Sequence, residues 1–302
     1  MVKNTVTLSS FTHSCVAALA SGGKLRTAET YTAAELSFRR FNSGKDIRLT
    51  NINSDIINRY QRYLLGRGLT PNTVSFYMRV LRAICNKAVR KNLMAPGEPF
   101  ADVYTGVART VKRAVSRRIL RLVASANLEA HGRLGFARDM FMLAFYLRGI
   151  AFVDLANLKR SDLTGNLLTY SRRKTGQALC VRCEPAAMRI MERYAAPAGS
   201  PYLLDIISNP EGNVRRQYLS VQAAVNKSLR ELSRRLSICP LTYYVARHSW
   251  ASIARECSVP LSLISEGLGH DSVKTTRIYL ASVRDSAVDR VNSRIVRLID
   301  KG

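Results

Sequence analysis

An arginine, a histidine and a tyrosine follow one another along one short stretch near the end of the chain: Arg247-His-Ser-Trp-Ala-Ser, then Leu268-Gly-His270, then Thr275-Thr-Arg-Ile-Tyr279. A phenol is a weak nucleophile at its ordinary pKa. A tyrosine that attacks must therefore work on a centre whose developing charge is stabilised by its neighbours. Arg247 and His270 would do that for a phosphodiester. A guanidinium offers a planar fork that meets two phosphate oxygens at once, which a lysine cannot match. The chemistry on offer is transfer of a backbone phosphoryl group to a tyrosine oxygen.

The rest of the chain points to a polyanionic partner. It carries 47 Lys and Arg against 21 Asp and Glu, a formal charge of +26 over 302 residues, which is enough chain for about two domains. Nucleic acid is the first choice and an anionic membrane surface the second. A membrane protein would need an apolar run of about 18 residues, and the sequence has none. The opening Met-Val-Lys-Asn-Thr-Val lacks the charged-then-apolar layout of a secretory signal. A soluble cytoplasmic protein acting on DNA or RNA is expected. Cys180-Val-Arg-Cys183 has half the spacing of a zinc site, but it lies in an alternating stretch that reads as a strand, where side chains three apart face opposite ways. Neither a metal nor a cofactor is expected.

Several elements must position this chemistry. The first hundred residues read as helices. Thr70 and Pro71 start one that runs to about Lys91, with Tyr77, Leu81, Ile84 and Ala88 along an apolar face and Arg79, Arg82, Asn86 and Arg90 along another. The basic face is a candidate DNA-binding surface or a solvated one. Between Met94 and Arg121 prolines and glycine break the pattern, and Arg109, Lys112, Arg113, Arg117, Arg118 and Arg121 crowd together. This reads as a basic linker able to track a phosphate backbone, or as an exposed loop. Beyond it come an apolar helix from Asp139 to Leu147, a helical stretch from Asp154 to Leu158, and strands at 166–170 and 178–183 joined by Arg172-Arg173-Lys174-Thr175-Gly176-Gln177. Helices follow at Pro185–Tyr194, Val221–Leu236 and Ala287–Ile299.

With Leu-Gly-His and a tyrosine nine residues after the histidine, the segment resembles the C-terminal signature of the tyrosine recombinase (phage integrase) family. The resemblance implies a mainly α fold: a helical SAM-like core-binding domain over 1–100, a basic linker over 101–121, and an α+β catalytic domain over 122–302 with a small antiparallel sheet and a C-terminal tail helix. It implies a site-specific recombinase that cleaves and rejoins DNA through a 3′-phosphotyrosyl bond, without metal or high-energy cofactor. Tyr279 matches the nucleophile, Arg247 the second arginine, and His270 the second histidine. Lys174, on the strand-turn-strand unit, matches the lysine that protonates the leaving 5′-oxygen, although Arg172 and Arg173 lie beside it. Arg79, Arg82, Arg90, Arg109, Lys112, Arg113 and Arg117 are the candidate DNA contacts.

The chain departs from the family pattern twice. Tyr244 stands where the family has a histidine three residues before the second arginine; a phenol can donate a hydrogen bond there but carries no positive charge. Gly149 to Leu155, with Leu158 and Asp162, aligns on the family's first-arginine motif and puts Ala151 at the arginine itself. Arg148 is the first candidate to supply that cation, with Arg172 or Arg173 next; Asp154 matches a supporting acid. The family reading implies double-stranded recombination sites as partners and a homotetramer held through the tail helix that carries Val291, Ile295 and Leu298. Two other readings stay open. Val259 to Leu280 also resembles a helix-turn-helix, so the chain could bind DNA without cutting it, and a topoisomerase-like phosphotyrosyl enzyme would use the same chemistry.

Overall fold

A computed structural model describes residues 6–108, 114–129 and 132–269. The chain divides into two units, Met1–Thr110 and Val111–Gly302. Among the described residues of the first unit there are four α-helices, three of which begin where a side chain caps a free N–H group. Thr7 accepts from Ser10 at the start of α1 (Leu8–Ser21), and α2 spans Leu25–Phe41. Asn53 accepts from Ile56 to begin α3 (Ser54–Gly66), while Thr70 accepts from Thr73 and Pro71 takes the first turn of α4 (Pro71–Arg90). These helices close on one apolar core in which Phe38 and Tyr60 meet edge to face, 5.0 Å between centroids. α4 buries Val74, Met78, Leu81, Ile84 and Ala88 and leaves Arg79, Arg82, Asn86 and Arg90 exposed.

The second unit is built around α6 (Arg133–Tyr146), against which α5 (Arg117–Ala124), α8 (Pro185–Arg193), α9 (Val214–Arg235) and α10 (Tyr243–Glu256) all pack. A helix covered on so many sides has no polar stripe to offer. Leu134, Ala137, Met140, Phe141, Leu143 and Ala144 are all buried. Its one buried acid, Asp139, is satisfied by Arg138 Nε at 2.7 Å, Arg193 Nη1 at 2.8 Å and the Tyr194 hydroxyl at 2.9 Å. Short α7 (Phe152–Ala156) and α11 (Leu261–Gly267) complete the helices of this unit among the described residues.

The sheet is small and antiparallel, in the order β1 (Leu163–Thr164), β2 (Leu167–Ser171), β3 (Ala178–Arg182). In register, Leu168 faces Val181 and Tyr170 faces Leu179. Leu168, Tyr170 and Val181 are buried, while Leu167, Thr169, Cys180 and Arg182 are exposed, the alternation of a strand pair with one covered face. The molecule is therefore mainly helical with one small sheet, as the sequence predicts. No helix among the described residues is long and apolar enough to cross a membrane.

Candidate active site

The site grows from an unusual helix end. After Tyr146 the chain places two successive residues in the left-handed region, Arg148 at φ 56° and Gly149 at φ 75°. The Gly149 N–H donates back to the Ala144 carbonyl at 2.7 Å. The reversal brings Gly149 against α10 so closely that a Cβ there would stand 2.6 Å from Arg247 Cα. The close approach admits only glycine, and the left-handed backbone favours it further.

Arg247 projects from α10 into this corner and is 5% exposed. Its Nη1 donates to the Gly149 carbonyl at 2.8 Å and its Nη2 to the Leu268 carbonyl. Burial, and then the like charge of Arg172, pull its pKa down to about 10, against the opposing pull of Tyr244, Tyr170 and Asp154. At neutral pH it stays a cation.

Asp154, in the first turn of α7, is 4% exposed and accepts the backbone N–H of Arg173 at 2.9 Å. Its carboxylate lies 3.9 Å from Arg172 Nε. Burial raises its pKa, and the Arg173 N–H with the charges of Arg172 and Arg247 works the other way. One carboxylate thus faces two buried guanidinia.

Arg172 follows β2 directly and is 9% exposed. It closes the hairpin through its own backbone, donating to the Gln177 carbonyl at 2.9 Å and accepting from Gly176 at 2.7 Å. Its guanidinium Nη1 donates to the Gly269 carbonyl. Gly269 sits at φ 63°, and a Cβ there would come within 2.6 Å of Arg172 Cδ. The described end of the signature, Leu268-Gly269, is therefore held by the two buried arginines, and His270 is the next residue in the chain. His270 and Tyr279 themselves lie outside the described residues.

The other candidates fall as follows. Lys174 is exposed on the turn between β2 and β3, two residues past Arg172. Tyr243 is buried and packs edge to face on Phe152 at 4.9 Å, whereas Tyr244 is half exposed, packs on His248 at 4.8 Å, and is within electrostatic reach of Arg247 and Arg172. Both tyrosines are within electrostatic reach of Arg247, Tyr243 from the buried side and Tyr244 from the more exposed one. Arg148 is half-buried and its Nη1 donates to the Cys180 carbonyl at 3.4 Å; its charge acts on Tyr170 and Cys183. Arg79, Arg82 and Arg90 share the exposed face of α4, and Arg90 Nε donates to the Asn86 carbonyl at 3.3 Å. Arg117 opens α5, exposed, 4.0 Å from Glu256. Arg109, Lys112 and Arg113 lie outside the described residues. The sequence placed Arg172 only among the fallback candidates, yet it is the residue the fold sets beside Arg247 and Asp154.

Comparison with known proteins gives two domain matches: residues 7–102 match the phage integrase SAM-like domain and residues 117–285 the phage integrase family. Tyrosine recombinase XerD of Rhizobium meliloti (strain 1021) is 25% identical over 292 residues, covering 90% of this chain and 90% of that protein. Tyrosine recombinase XerC of Mycobacterium tuberculosis (strain CDC 1551 / Oshkosh) is 25% identical over 279 residues, covering 87% and 90%. Among solved structures, a lambda integrase dimer bound to a COC′ core site shares the fold with a TM-score of 0.68 at 18% identity, covering 91% of this chain and 95% of that one. A lambda integrase tetramer bound to a Holliday junction gives a TM-score of 0.65 at 17% identity over 92% of this chain and 78% of that one.

Proposed function

Because this chain belongs to the phage integrase family, we propose that it is a site-specific DNA recombinase, a tyrosine-type enzyme that breaks and rejoins strands through a 3′-phosphotyrosyl intermediate. The observation that carries this reading is the buried arginine and carboxylate cluster at the described end of the signature, where Arg247 reaches Gly149 and Leu268. A buried guanidinium aimed at oxygen acceptors is a pre-organised grip for phosphoryl oxygens, and it opposes the charge that builds in the transition state.

In the proposed reaction the Tyr279 oxygen forms a bond to the scissile phosphorus as the bond from phosphorus to the 5′-oxygen breaks. The phenol proton passes to a base in the site, and Lys174 supplies a proton to the leaving 5′-oxygen. One phosphoester replaces another, so the energy of the broken bond is kept for the reverse attack by a partner strand. Tyr244 and His270 donate hydrogen bonds to the phosphate. Arg148 stands at the rim as the sequence's first candidate for the cation that Ala151 does not supply. The basic face of α4 and the 109–117 stretch track the duplex backbone. The enzyme works in the cytoplasm, as a tetramer on paired duplex sites, with its tail helix docked on a neighbouring subunit.

Trapping the intermediate tests this reading. On a duplex nicked just beyond the cleavage position, the wild-type chain should leave an SDS-resistant, protease-sensitive adduct. Tyr279→Phe should bind the same DNA and leave none. An adduct in the Phe variant excludes Tyr279 as nucleophile. Binding without any adduct in the wild type returns the chain to a DNA-binding protein that does not cut, the reading that Ala151 favours.

A further inference from the structure

The position that the family resemblance assigns to an arginine is Ala151, which caps α7 and offers the site only a methyl group. A phosphate held by Arg247 alone would leave developing charge poorly opposed. We propose that Arg172, from the β2–β3 hairpin, is the second phosphate-binding arginine of the site and takes over the role that Ala151 leaves empty. The proposal rests on the strand-cleavage reading above and adds to it the identity of a catalytic residue.

Three observations carry it. First, Arg172 and Arg247 are both nearly fully buried and both face Asp154, so among the described residues the corner holds two cations against that carboxylate. An excess of buried charge is costly unless a counter-charge arrives, and a phosphodiester is such a counter-charge. Second, Arg172 donates to the Gly269 carbonyl and Arg247 to those of Gly149 and Leu268. Each guanidinium thus gives at least one N–H to a neutral backbone oxygen, which an anionic phosphate oxygen would replace as a stronger acceptor. Third, the backbone leaves room for this arrangement only because residue 269 is glycine, since a Cβ would meet Arg172 Cδ at 2.6 Å. The same hairpin then delivers the phosphate cation at 172 and the leaving-group acid at 174. Arg148, by contrast, turns to the Cys180 carbonyl on the strand beyond. The rival account of Arg172 is structural: it neutralises Asp154 and pins Gly269, and touches no DNA.

The two accounts differ in what they expect when the phosphate loses its charge. Cleavage by the full chain is measured on nicked duplexes whose scissile phosphate is either normal or a methylphosphonate, which carries no charge on phosphorus oxygens. Arg172→Ala should cut the normal duplex about a hundredfold or more slowly than wild type, with DNA affinity kept. Its ratio of methylphosphonate to phosphodiester cleavage should rise by a similar factor over the wild-type ratio, because no charge is left to oppose. Arg172→Lys, which keeps the ion pair with Asp154 and loses the fork, should show a smaller loss and the same direction of ratio change, and serves if the Ala variant does not fold. An unchanged ratio in both variants makes Arg172 structural and overturns the proposal, as does a normal rate in Arg172→Ala with the loss appearing in Arg148→Ala instead. If wild type forms no adduct on either duplex, it is the strand-cleavage reading that fails.

Discussion

Gly149→Ala probes the tightest contact of the site. Two costs add. An L-residue held at φ 75° pays the left-handed penalty of about 1–2 kcal/mol. A methyl placed 2.6 Å from Arg247 Cα and 2.7 Å from its Cβ and Cγ forces backbone or side chain to shift, an overpacking cost of about 1–3 kcal/mol. The sum is roughly 2–5 kcal/mol, and at ~2–4 °C per kcal/mol for a unit of this size the Tm should fall by about 4–20 °C. Gly165→Ala separates the two costs, because Gly165 sits at φ 58° with nothing within 4 Å of its Cβ position. That variant should show the backbone penalty alone. Thermal unfolding followed by calorimetry on both variants reads the difference directly. If Gly149→Ala and Gly165→Ala lower Tm equally, the close approach of Gly149 to Arg247 is wrong, and with it the way this corner is held together.

Other consequences follow from the same geometry. Burial holds the Asp154 pKa above its ordinary 3.8, so between 3.8 and its folded value the folded state holds more protons than the unfolded one. This group's contribution to stability therefore falls as pH rises through that window; Asp154→Asn should remove that part of the pH–stability curve, and an unchanged curve would mean Asp154 titrates normally. Neutralising Arg79, Arg82 and Arg90 together should weaken binding about equally on all duplexes and flatten the slope of log affinity against log salt by roughly 0.9 per lost contact; an unchanged slope would make that face merely solvated. Removing residues 287–302 should abolish tetramers on DNA, measured by sedimentation, while single-site binding persists; tetramers in the truncated chain would refute docking through the tail.

Much of this architecture is written in local signals. Thr70 and Pro71 announce α4, and its 3.6-residue period separates Leu81 and Ile84 from Arg79 and Arg82 before any fold is known. Other boundaries are not written that way. The apolar run suggests a helix starting at Asp139, but α6 begins at Arg133, because Leu134 and Ala137 are buried by packing on several sides and Gly132 supplies the cap position. α9 begins at Asn213-Val214 and not at Val221, its first two turns carrying Arg215, Arg216 and Gln217, which no periodicity marks as helical. Nor could the sequence say that Asp154 accepts the N–H of Arg173, since that bond joins α7 to a hairpin across the fold.

Arg172 is the instructive case, because its signal was present and outweighed. Among Arg172, Arg173 and Lys174 the family resemblance draws the eye to the lysine, and three adjacent cations look interchangeable in a turn. A strand, however, alternates its faces with a period of two. Leu168 and Tyr170 are the buried positions of β2, and continuing their parity by one step arrives at Arg172, with Ser171 and Arg173 on the open side. An arginine at an inward parity position is expensive to bury unless a carboxylate or an anion meets it. The sequence already held Asp154 as a supporting acid with no cation at 151 to support. Once the covered face of β2 is known, parity and charge together single out Arg172. The fold adds that the same corner receives Arg247 from α10, so that Arg172 and Arg247 converge on the carbonyls of Leu268 and Gly269.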